Sequence, residues 1–327
     1  MEFEKGDPTR NAYGKALLEL GKQHEDIVAL DADLAKSTRS YMFEEEFPER
    51  HFNVGIQESN MVGMAAGLAS SGLTPFVHSF ACFLCNRAFD QIRVSVAYPG
   101  LDVNFVGSHG GISGGEDGVS QQSVEDLALM NTVPDITACV PADPAATRQL
   151  APQLLDFEGP TYMRTSRPPA QLVYDDDEEF TMGEAKVVRS GSDVTIVTMG
   201  LLVAESLKAA SKLASRGIEA EVIDSHTVKP LDVETIVASA SKTGHLVVAE
   251  EHQIWGGLSS IVSREVSQYE PVPMEFVAID DTYAESGPGY ELLNVYGLTE
   301  PHIVDAVETV LSESLEGTSR APAAAVN

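Results

Sequence analysis

Basic residues are scarce in this chain: 21 Lys and Arg stand against 50 Asp and Glu, a formal charge of −29 at pH 7. Such a surface repels nucleic acid and anionic membranes, so neither is expected as a partner. Any phosphate-bearing ligand must be met by locally placed Arg or His. Acid this plentiful with so few Lys also suits a high-salt cytoplasm. Cysteine is rarer still, and the three residues Cys82, Cys85 and Cys139 exclude a disulfide framework and fit a reducing compartment. Cys82 and Cys85 make a CxxC inside FACFLCNRAFDQIR, but with no second pair and no flanking His it reads as packing. No apolar run reaches the roughly 20 residues of a membrane span, and MEFEKGDPTR lacks the apolar core of a signal peptide. The expected location is cytoplasmic.

What is present is a long alternation. At 327 residues the chain exceeds one ordinary core and suits two domains. Strand-like apolar runs alternate with helical patterns, which gives an α/β class with mainly parallel sheets flanked by helices. Thr9 is placed to cap a helix that carries Ala12, Ala16, Leu17 and Leu20 on one side. Strands are expected at 27–31, near 52–54, at 74–80 and at 102–108, with a helix over 87–97 and a long glycine loop after the last strand. Strands at 136–140 and 161–164, separated by a helix capped by Asp143, complete the first sheet. From Arg167 the stretch RPPAQLVYDDDEEFTMGEA interrupts every periodicity. The chain therefore divides into a domain at 1–170, an acidic proline-containing linker at 171–185, a second parallel unit at 186–316 and a disordered tail at 317–327. The acid runs at 44–46 and 175–179 read as solvated faces or linker. In the second unit, VTIVTMG, EAEVIDS and HLVVAEE are strands, a helix covers 204–216, and a last helix follows Pro301.

One charged residue breaks the apolar pattern of the first unit. NVGIQESNMVGMAAGLA, from Asn53 to Ala69, sets Glu58 at the mouth of a Gly- and Ala-rich helix suited to close packing. A carboxyl there is desolvated, which penalises its ionised form unless a specific partner shares its proton or hydrogen bond, and this makes Glu58 a candidate acid. The alternative is a wet first-turn glutamate that complements the helix dipole.

With Glu58, the aromatic run FACF and the loop GSHGGISGGEDG (107–118) in one order, the chain resembles the transketolase family over nearly its whole length. VIDSHTVKPLD (222–232) and VVAEEHQIWGGL (247–258) resemble that family's last domain. The resemblance implies the pyrimidine-binding and C-terminal domains of a thiamine diphosphate enzyme, in the form in which transketolase is split into two polypeptides. Family members hold the cofactor diphosphate through a metal by a GDG motif followed by asparagines, and no GDG occurs here. The implied arrangement is therefore a separate N-terminal subunit that carries magnesium and the diphosphate site, joined with this chain in a heterotetramer. Alone, this chain is expected to be inactive.

By the same resemblance, Glu58 hydrogen-bonds the aminopyrimidine ring and assists loss of the thiazolium proton, after which a two-carbon ketol unit passes from a ketose to an aldose. Phe80 and Phe83 match the positions that stack on the pyrimidine. Asn86 stands where the family often has an aromatic residue, which makes that wall more polar. Leu34 resembles the apolar contact near the thiazolium. Arg10, Asp33 and Ser37 resemble positions that meet the acceptor sugar and its phosphate, and His109 and Arg167 further phosphate contacts, with Arg164 a rival to Arg167. Asp117 in GEDG resembles the carboxylate that binds a sugar hydroxyl. Gln121, in SQQ, departs from the family, which usually has a histidine near the donor carbonyl; glutamine donates a hydrogen bond but does not shuttle protons. His78 is either its replacement or a structural strand histidine. Two other readings stay open: the beta subunit of a 2-oxo acid dehydrogenase, which SQQS resembles and GEDG does not, and a non-catalytic assembly subunit.

Overall fold

A computed structural model describes residues 1–316; the expected tail at 317–327 lies outside the described residues. The first half runs α1 (Thr9–Gln23), β1 (Ile27–Asp31), α2 (Ala35–Thr38), α3 (Tyr41–Glu46), β2 (His51–Asn53), α4 (Glu58–Ser70), β3 (Thr74–Phe80), α5 (Phe89–Gln91), β4 (Asn104–Ser108), α6 (Asp126–Thr132), β5 (Thr137–Cys139), α7 (Pro144–Gln153) and β6 (Thr161–Thr165). The second half runs β7 (Lys186–Arg189), β8 (Val194–Thr198), α8 (Leu202–Ala214), β9 (Ala220–Asp224), β10 (Thr227–Lys229), α9 (Val233–Thr243), β11 (Leu246–Gln253), α10 (Leu258–Tyr269), β12 (Met274–Ile279), α11 (Gly289–Val295) and α12 (Glu300–Glu316). Two sheets result, with strand orders β10-β5-β6-β4-β3-β1-β2 and β12-β11-β8-β9-β7. Among the named strands of the described residues, only β10 against β5 and β7 against β9 pair antiparallel. This is the expected α/β class, with one addition: β10 comes from the second half of the chain yet closes the edge of the first sheet.

The central strands are buried on both faces, as their continuous apolar runs require. Helix α1 buries Ala12, Ala16, Leu17 and Leu20, the side foreseen from its periodicity. Its start differs from expectation. Pro8 precedes the helix and Thr9 is its first residue, because the Thr9 hydroxyl is taken by Ser166, whose N–H donates to it at 2.7 Å. Asp143 caps α7 as expected, accepting from Ala146 N at 2.9 Å. Segment 83–97 is helical but not regular: wide turns at Phe83–Arg87 and Ile92–Ala97 flank α5. Wide turns of this kind recur at functional sites because the extra residue re-aims neighbouring side chains. The cysteines are free and buried, and burial pushes the Cys82 thiol up to about 12, which fits packing rather than redox chemistry.

Helix α4 corrects one expectation. Met61, Val62, Ala65 and Ala66 pack into the core, but a Cβ added at Gly63 or Gly67 meets nothing within 4 Å. Its two glycines therefore do not serve close packing within this chain, whereas Ala65 and Ala66 do. Met64, and Ile56 just before the helix, are exposed on the same element.

Candidate functional site

The carboxyl ends of β1, β3, β4 and β6 converge on one edge of the first sheet, where ligands of open α/β sheets bind. Glu58 opens α4 there with 3% exposure. Its Oε1 accepts from Arg87 Nη1 at 3.0 Å, and its Oε2 has no hydrogen-bond partner among the described residues. Arg87 is itself half-exposed, and its guanidinium lies 4.3 Å from the centre of the Phe83 ring. Phe83 stacks on Phe80 at 5.6 Å and 18°, and Phe80 lies 3.9 Å from His109. The acid and the histidine are thus joined by one aromatic wall. Asn86 takes no part in that stack; it is exposed and donates to Glu125 at 2.6 Å.

Beyond the wall opens a cleft of about 400 Å³ lined by Arg10, Lys36, Ser37, Arg39, Phe80, His109, Asp117, Gln121 and Arg167. The glycine loop after β4 is held in place by the second half of the chain. Glu251 accepts from Ser113 N at 2.6 Å, and a Cβ on Gly111 would stand 2.2 Å from that carboxylate, so only glycine allows the approach. His109, in the left-handed region at φ 62°, precedes that turn.

Protonation states follow from burial. Desolvation first, and then the charges of Arg10, Arg167 and Arg39, hold the His109 imidazole at about 2, so it is neutral at ordinary pH. Arg10 Nη1 lies 3.1 Å from His109 Nε2 and must donate to it, which leaves the proton on Nδ1, 2.7 Å from Ser108 Oγ. Burial, with Arg39 and Arg167 nearby, pushes Arg10 down to about 10, still charged at neutral pH. Arg167 pairs with Glu116 at 3.0 Å and Asp117 at 3.1 Å. Arg164, its sequence rival, is buried on β6 against Asp126 at 3.3 Å and does not line the cleft. Ser120 Oγ donates to Gln121 Oε1 at 2.5 Å, which leaves the amide NH₂ for the cleft.

His78 is structural. It is fully buried between Tyr13 OH at 2.7 Å and Leu30 O at 3.0 Å, and burial pushes it down to about 3, so it does not replace the missing histidine at position 121. Asp33 (φ 63°) accepts from Asn53 Nδ2 at 3.3 Å and lies outside the cleft lining, as does half-buried Leu34 at the start of α2. Three residues that sequence reasoning missed shape the site. Lys36 and Arg39 line the cleft, and Asp31 holds the turn that carries them. Asp31 accepts from Leu34 N at 2.5 Å, Thr38 Oγ1 at 3.0 Å and Ser40 Oγ at 3.1 Å, and burial pushes its carboxyl up to about 6. The signal available for Asp31 was a charged residue ending an otherwise apolar strand.

Comparison with known proteins shows the family. The transketolase pyrimidine-binding domain family matches residues 6–171 and the transketolase C-terminal domain family residues 183–303. A 6-deoxy-6-sulfo-D-fructose transketolase subunit of Clostridium sp. (strain MSTE9) is 43% identical over 92% of this chain and 94% of its own. An apulose-4-phosphate transketolase subunit of Phocaeicola vulgatus is 36% identical over 90% of this chain and 94% of its own. A solved structure described as a split gene transketolase, inactive beta4 tetramer, superposes with TM-score 0.86 at 44% identity, covering 94% of this chain and 99% of that one.

Proposed function

This chain belongs to the transketolase family as a split-type subunit, and from that premise we propose that it is the C-terminal half of a thiamine diphosphate-dependent transferase that moves a two-carbon ketol unit from a ketose to an aldose. The observation that carries the proposal is the buried Glu58 carboxyl beside the stacked Phe80–Phe83 pair. A flat apolar face next to a hydrogen-bonding carboxyl suits an aminopyrimidine ring, so the residues present fit the pyrimidine end of thiamine diphosphate. When bound, that cofactor supplies the nucleophilic carbon and the electron sink.

This chain's own residues then have distinct tasks. Glu58 holds a proton at the pyrimidine nitrogen through Oε2, the oxygen without a partner among the described residues, while Arg87 stays on Oε1. Phe80 and Phe83 exclude water from the ring. Arg10, Ser37, His109 and Arg167 orient a charged sugar terminus; His109, being neutral, takes no part as an acid. Asp117 accepts from a sugar hydroxyl. Gln121 donates a hydrogen bond where a histidine usually stands, which shifts donor choice without supplying a proton. The two named relatives act on a sulfonated and a phosphorylated sugar, and a charged sugar is the substrate class proposed here.

The diphosphate and its magnesium are assigned to a separate N-terminal subunit, since no GDG motif occurs in the chain. The uncovered face of α4, with exposed Met64 and with Ile56 just before the helix, supports burial of this edge against a partner in a heterotetramer. The test is co-expression with a candidate N-terminal subunit that carries GDG, followed by assay with ketose phosphates and with 2-oxo acids. Ketol transfer to an aldose is expected. Decarboxylation of a 2-oxo acid in its place assigns the chain to the dehydrogenase branch, and no turnover with any partner assigns it to assembly.

A further inference from the structure

The chain has more than two acids for every base, yet three of its cations go unpaired at one place. Among the described residues, Arg10, Lys36 and Arg39 form no ion pair, while Arg167 beside them is taken by Glu116 and Asp117. All four line the same cleft, whose one carboxylate is Asp117. Arg10 instead donates to Ser37 O at 3.0 Å, and Arg39 Nε donates to the neutral Asn11 Oδ1 at 2.7 Å.

The position of Arg39 is built. Its backbone is left-handed (φ 75°), an arrangement that costs a non-glycine residue strain. A Cβ on Gly14 of α1 would lie 2.6 Å from Arg39 Cβ and 2.9 Å from Arg39 O, so glycine at that point lets the turn sit down on the helix. Asp31, Thr38 and Ser40 tie the same turn from beneath. Arg39 is close enough to depress both Arg10 and His109. Lys36 is exposed and untethered, one helical turn earlier. Like charges held together in this way destabilise the empty site and are relieved by a bound anion.

We infer that Lys36 and Arg39 are specificity-determining residues that extend the cationic lining of the cleft beside Arg10, selecting substrates that end in a tetrahedral oxyanion, phosphoryl or sulfonyl. This rests on the function proposed above for its substrate class and extends it to two residues not otherwise assigned. Arg39 is the pre-organised fork and Lys36 the mobile charge. Burial holds His109 neutral at ordinary pH and Gln121 carries no charge, so neither adds to the cationic lining.

Methyl phosphate and methanesulfonate are the probes, titrated calorimetrically against the isolated chain and against the co-expressed pair. Arg39→Gln is expected to raise the Kd for the preferred probe about tenfold or more, the loss of one charge-assisted contact, with Arg39→Lys intermediate and Lys36→Gln about threefold. Lys15→Gln, in an exposed pair with Asp7, controls for net charge and should change nothing. Unchanged melting temperatures show that each variant folds. Tightening of methyl phosphate between pH 5.5 and 8, as its second proton leaves near about pH 6, supports a phosphoryl terminus. Tighter, pH-independent methanesulfonate binding supports a sulfonyl terminus. Wild-type affinity in Arg39→Gln, or an equal loss in Lys15→Gln, overturns the inference. If the Arg39 effect holds while the co-expressed pair transfers no ketol unit, the function proposed above fails and this inference stands.

Discussion

Two buried glutamates stand beside the first turns of helices in this chain, and they are answered differently. Glu250, on β11, faces the start of α10: its Oε2 accepts from Leu258 N at 2.7 Å and its Oε1 from Ser259 N at 2.8 Å, so the helix terminus satisfies both oxygens. Glu58 opens α4 with one oxygen on a half-exposed guanidinium and the other without a partner among the described residues. Burial is nearly the same, at 0% and 3% exposure. The first carboxylate is a strut complete within its own chain. The second keeps one oxygen untaken among the described residues, as the cofactor contact proposed for it requires. Buried carboxylates are thus told apart by whether their lone pairs are already taken.

Substitutions sharpen the contrast. Glu58→Gln should lower turnover of the assembled enzyme by at least about a hundredfold, the low end for acid or base catalysis, while the melting temperature stays near wild type. Near-normal turnover removes Glu58 from the mechanism. Glu250→Gln should do the reverse: a donor NH₂ turned toward backbone N–H groups costs roughly 1–3 kcal/mol of stability, with per-molecule activity retained in the fraction that remains folded. If chemical denaturation finds no loss, the strut assignment is wrong.

A third carboxylate tests the same idea through pH. Asp224 accepts from Tyr174 OH at 2.6 Å and leaves Oδ1 buried without a partner, and burial pushes it from 3.8 up to about 7. Because the folded value lies above the unfolded one, the stability held by the neutral form is complete below pH 3.8 and is lost as pH rises through 7. Asp224→Asn does not titrate, so its melting temperature should gain on wild type between about pH 4 and 8. A constant difference across that range contradicts the assignment. The smallest effect is expected from Lys15→Gln, which breaks an exposed ion pair 2.8 Å long and should change stability by less than about 0.5 kcal/mol.

How much of this was legible beforehand depended on how local its cause was. Strands β1 and β3 have the bounds read from sequence, since a continuous apolar run between turn residues leaves little choice. The cap at Asp143 was equally local. Strand β10 was not legible, because three residues that return to another sheet carry no period of their own. The wide turns at 83–87 and 92–97 keep a helical pattern and hide the extra residue. In the site, Arg10, Ser37, His109, Asp117, Gln121 and Arg167 line one cleft, whereas Asp33 and Asn86 turn to other partners. Lys36 and Arg39 were missed because a left-handed arginine leaves no mark in a sequence. Its position depends on Gly14 and Asp31, which lie in other elements.

The most direct test of the half-pocket built around Glu58 is calorimetric titration of the isolated chain with thiamine diphosphate and magnesium, repeated with its N-terminal partner present. The account predicts no measurable binding alone and tight magnesium-dependent binding in the complex. Tight magnesium-dependent binding by this chain without a partner would contradict it.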